Sequence, residues 1–76
     1  MLFKKNSEKQ INEIMRIIME EHGRHKELMN VFMDAANSCS SMENYHYNLE
    51  LSSKERELML TCSRIIDRIN KEVLDD

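Results

Sequence analysis

The chain has 76 residues, a formal net charge of −3, no proline, a single glycine and 33% charged residues. That is one small domain, whose core alone supplies only about 3–5 kcal/mol of stability, so help from metal, a disulfide or association is expected. The acidic balance excludes the basic face of a nucleic-acid binder and an anionic membrane surface as partner, and no apolar run approaches the length of a membrane span.

The N-terminal residues MLFKKNSEKQ carry only Leu2 and Phe3 ahead of two lysines. They do not read as a signal peptide, and a cytoplasmic location is expected. Helix formers dominate and breakers are nearly missing, which favours an all-α fold.

Ser7, Glu8, Lys9 and Gln10 fit a capping box with Ser7 as N-cap. An apolar stripe follows through Ile11, Ile14, Met15, Ile18, Leu28, Met29, Phe32, Ala35 and Ala36, with His22 and His25 in the middle of it. The steps of three and four predict one helix over about 7–38, roughly 45 Å long.

Gly23 lies between the two histidines. It marks a bend or a close helix approach, at a cost of about 1 kcal/mol against alanine. The histidines, on a packing face, are expected to be half-buried with hydrogen-bond partners. They also raise a metal reading, in which His22, His25, Glu21 and Cys62 converge on one ion. A bundle metal site needs three or four such ligands, and the second half of the chain offers no histidine beyond His46.

From Asn37 to Asn48 the sequence is rich in Asn and Ser, which favour caps and turns. A polar turn is expected over about 39–51, with Ser41 able to cap a single helical turn. Ser52 and Glu55 read as a second capping box. A second stripe, Leu58, Met59, Cys62, Ile65, Ile66, Ile69 and Val73, predicts a helix over about 53–74, and the terminal acids Asp75 and Asp76 are expected to fray it.

Two amphipathic helices and a polar turn make an antiparallel two-helix hairpin. Each stripe is too wide for one partner helix, so pairing into a four-helix bundle as a homodimer is expected. With the turn near residue 45, the first helix overhangs the second. Ile11, Ile14, Met15 and Ile18 are then the surface for a dimer mate or another protein. The same fold register sets Cys62 level with Leu28 and too far from Cys39 to bridge, so both thiols are expected to be free and no cofactor is implied.

Two short stretches resemble known families. Ser63-Arg64-Ile65-Ile66-Asp67-Arg68-Ile69 resembles the signature of the small sporulation aspartyl-phosphate phosphatases, helical hairpins with Ser-Gln-Glu-Leu-Asp on the second helix. Ser63, Asp67, Arg68 and Ile69 fit it, while Arg64 and Ile65 replace its Gln and Glu. The resemblance implies docking on a phosphorylated response regulator, with Asp67 and Ser63 as working residues. They share one helix face with Arg56, Leu60 and Asn70, off the apolar stripe, and Leu60 there suits a docking surface. His25-Lys26-Glu27-Leu28 is similar to the phosphoacceptor box of histidine-kinase dimerisation domains, although Lys26 stands where a carboxylate normally follows the histidine. The leading functional expectation is a regulatory module that acts by binding another protein and carries no chemistry of its own.

Overall fold

The computed structural model describes residues 5–74. Helix α1 runs over Lys5–Ser38, and helix α2 over Met42–Ile69, closed by a π-helical turn at Asn70–Leu74. The two helices pack antiparallel into a rod with Cα extents of 56 × 16 × 11 Å. The all-α hairpin expected from composition and periodicity is what the chain forms. The fraying expected at Asp75 and Asp76 lies outside the described residues.

The connection is much shorter than the expected polar turn over 39–51. Only Cys39–Ser41 stand between the helices. Ser41 is the true N-cap of α2: its backbone is extended (φ −113°, ψ 144°) and its Oγ accepts from the Asn44 N–H at 3.1 Å. Asn44 to Asn48, which look like turn residues, are helical because the side chains find helical partners. Asn48 Nδ2 donates to the Asn44 carbonyl at 2.9 Å and to Cys39 Sγ at 3.4 Å. Local preference is a weak prior that packing overrides.

Three further expectations fall with the early start of α2. Ser52 is no cap. It lies mid-helix, 4% exposed, and its Oγ donates to the Met29 carbonyl of α1 at 3.0 Å. Glu55 does not reach back to Ser52 but bonds His25. Nor does α1 overhang, since its 34 residues face 28 in α2 plus the five of the π turn. Ser7 is likewise inside α1, which is already under way at Lys5.

The seam is a regular alternation of three and four. On α1 it takes Ile11, Met15, Ile18, His22, His25, Met29, Phe32 and Ala36, each half-buried or buried. On α2 it takes Tyr45, Asn48, Ser52, Glu55, Met59, Cys62, Ile66 and Ile69, each half-buried or buried as well. This is the knobs-into-holes period of a coiled coil. The Ser52–Met29 and Glu55–His25 bonds fix the register. Continued by heptads, it sets Met59 opposite His22, Cys62 opposite Ile18 and Ile66 opposite Met15.

Among the described residues only Ala36, at 1%, and Ser52 are buried outright. Both are small and lie toward the closed end, where small side chains let helix backbones approach. Gly23 marks no close helix approach, since a Cβ built there meets nothing within 4 Å, and α1 runs on unbroken through it.

Candidate functional site: the histidine seam and the apolar flank

The middle of the seam is polar. His25 is held by Glu55 from α2, Nδ1 to Oε2 at 2.5 Å, while its Nε2 stands 3.7 Å from the Oε2 of Glu21, one turn back on α1. The side chains of His25 and Glu55 are 13% and 19% exposed. A carboxylate has no proton to give, so in the pair with ionised Glu55 the donor is Nδ1. Glu21 also accepts from Arg24 Nε at 3.1 Å and Nη2 at 2.8 Å. That hydrogen bond and the Arg24 charge hold the Glu21 carboxyl below its ordinary range, and Glu21 in turn raises Arg24.

This arrangement locks His25 in place and suits it poorly to the roles raised by its sequence. A phosphoryl group on either ring nitrogen would stand among the carboxylates of Glu21 and Glu55, and its anionic charge would be repelled. The four-ligand metal set is not assembled either. Cys62 lies two turns from the Glu55 level, about 10 Å along the axis, rather than one turn from His25. The expected register is wrong here because the chain turns at Cys39–Ser41 rather than near residue 45. Among the described residues no group of three or more His, Cys, Asp or Glu side chains has the spacing of a metal site. Cys39 and Cys62 are both free thiols.

The two flanks of the hairpin differ. On one, Met33 and Arg56 border a shallow groove with Met29, Asn30, Leu49 and Ser53. Met33, Leu49 and Arg56 each directly follow a seam residue. Residues that directly precede seam positions therefore stand on the opposite flank. There α1 shows Ile14, Glu21 and Leu28, and α2 shows Leu51, Leu58 and Ile65. Ile17, Arg24 and Val31 border them on the outer side of α1. Ile14, Ile17, Val31, Leu58 and Ile65 are between 42% and 57% exposed. This is an apolar strip along both helices, crossed at mid-length by the Glu21–Arg24 pair.

The partner-surface residues expected from sequence divide between these places. Ile11, Met15 and Ile18 are half-buried on the intramolecular seam, because α2 extends alongside them. Ile14 is 52% exposed on the apolar flank. Leu60, 37% exposed, stands away from that flank, on the side of α2 that carries exposed Asp67 and half-buried Ser63. Sequence reading missed Ile17, Val31 and Leu51. For Ile17 and Val31 the signal is a second ladder on α1, at the same three-four spacing as the seam. Among the described residues no helix is long and apolar enough to cross a membrane. Compared with known protein families, with curated proteins and with solved structures, the chain matches none.

Proposed function

We propose that the chain is a cytoplasmic protein-interaction module whose working surface is the apolar flank of the hairpin. The observation that carries this is the strip itself: five large aliphatic side chains at 42–57% exposure along one flank of two helices. An exposed apolar patch bordered by polar residues marks an association site more often than bare surface. Its helical spacing suits the helices of another chain, laid in by the same ridge-and-groove packing that joins α1 to α2. Two free thiols accord with a reducing compartment.

The test compares immobilised wild-type chain with a Leu28→Glu/Leu58→Glu variant of equal helicity, each offered a lysate of the source cells. The wild type is expected to retain a protein that the variant does not. Equal retention by both would move the binding surface elsewhere and overturn the reading.

A second reading rests on Ser63 and Asp67, which lie one turn apart on α2 with Asp67 exposed and away from the apolar flank. It makes the chain a phosphatase of a phosphorylated response regulator. Loss of phosphate from such a regulator in the presence of wild-type chain, abolished by Asp67→Ala, would support it; no loss with wild type removes it.

A further inference from the structure

Resting on the apolar flank as a docking surface, we infer that its occupant is a second copy of this chain. The second copy is antiparallel, related by a two-fold axis that crosses α1 between Glu21 and Arg24. The ladder on this side of α1 reads Ile14, Ile17, Glu21, Arg24, Leu28, Val31, and it is a palindrome in position and in chemistry. Reversed about its centre, Ile14 meets Val31 of the second copy, Ile17 meets Leu28, and Glu21 meets Arg24. Every apolar side chain faces an apolar one and each charge faces its opposite. An isologous interface requires this self-complementarity, in which residue i meets j and j meets i.

Three further observations agree. The centre of the ladder lies at the middle of α1, whose bounds are Lys5 and Ser38, so the two rods overlap along their full length. On α2 the strip is Leu51, Leu58 and Ile65, symmetric about Leu58, and the hairpin register sets Leu58 beside Glu21 at the same height as the axis. The hairpin's Cα extents of 56 by 16 Å offer a face of the order of the roughly 800 Å² per partner that a stable dimer buries. A parallel pairing would instead set Glu21 against Glu21 and Arg24 against Arg24, which repel. Arg24 donates to Glu21 of its own helix at 2.8 Å. In the pair the same four groups form a closed square of alternating charge at the axis.

The test uses the full chain in three forms, wild type, Glu21→Arg and Arg24→Glu, by sedimentation equilibrium, with helicity checked by circular dichroism. Wild type is expected to dimerise. Each charge reversal places like charges across the axis and weakens self-association by roughly a hundredfold. A 1:1 mixture of the two variants restores dimer, because each supplies the charge that the other lacks, and this rescue also shows that neither variant has failed to fold. Orientation is read from oxidative cross-linking in a background with Cys39 and Cys62 replaced. Ile17→Cys is expected to join Leu28→Cys in a mixture faster than either joins itself. A wild type that stays single-chain, a dimer indifferent to both reversals, or preferential self-cross-linking of each cysteine overturns the inference. If wild type is single-chain but its flank retains a different protein, self-pairing falls and the docking reading stands.

Discussion

At the scale of single residues, two polar pairs set the register of the hairpin. Ser52 gives its hydroxyl proton to the Met29 carbonyl, and Glu55 accepts from His25. Both bonds link α1 to α2, and both sit on a seam that is otherwise largely aliphatic. Removing one member leaves the other short of a partner, so Glu55→Ala is expected to destabilise by about 1–3 kcal/mol. Replacing both, as His25→Leu/Glu55→Leu, is expected to cost less than the single change, since a paired polar group exchanged for packed apolar side chains is often neutral or better. Thermal denaturation of the two variants against wild type checks the order. Gly23 makes no use of its missing side chain, with open space where a Cβ would stand. Gly23→Ala is expected to stabilise by about 1 kcal/mol, read as a rise in melting temperature.

At the scale of the elements, α1 is a helix with two ladders and α2 a helix with a disguised start. The first apolar stripe and the end of α1 were legible from the spacing of Ile, Leu, Met and Phe. The start of α2 was not, because its first four turns put Tyr45, Asn48, Ser52 and Glu55 on the seam, where aliphatic residues carry the signal. Ser52 and Glu55 fit a capping box as well as they fit a polar seam, and only the partner helix decides between them. The second ladder was hidden for a similar reason: the Glu21–Arg24 pair interrupts it at mid-length and reads as solvated surface.

Ser41→Ala removes the side-chain acceptor at the N-terminus of α2 and is expected to cost about 1 kcal/mol, checked by denaturant titration. Acid acts on α1. Arg16 bonds Glu13, and Arg24 bonds Glu21; these contacts hold both carboxyls below their ordinary values. A carboxyl with a lowered folded-state pKa stabilises fully above its unfolded value, and that contribution is lost as the pH falls through the folded one. Helicity is therefore expected to hold from neutral pH into the mildly acidic range and to decline below the ordinary glutamate range. Both carboxyls are exposed, so the decline is small and weakens further in salt. Circular dichroism across a pH titration at two salt concentrations checks it.

At the scale of the whole molecule, a two-helix rod cannot bury itself. Each helix has one neighbour, and among the described residues only Ala36 and Ser52 are buried. Chains of this length need a further source of stability, and the apolar flank is where this one has it to gain. Association there would join the stability of the fold to protein concentration. The most direct test is the sedimentation equilibrium mass of the full chain across a range of concentrations, beside an Ile14→Glu/Leu58→Glu variant that keeps wild-type helicity. Wild type is expected to approach twice the 9.1 kDa chain mass while the variant stays at the single-chain value. A wild type that holds 9.1 kDa throughout, with a melting temperature independent of concentration and equal to that of the variant, would contradict it.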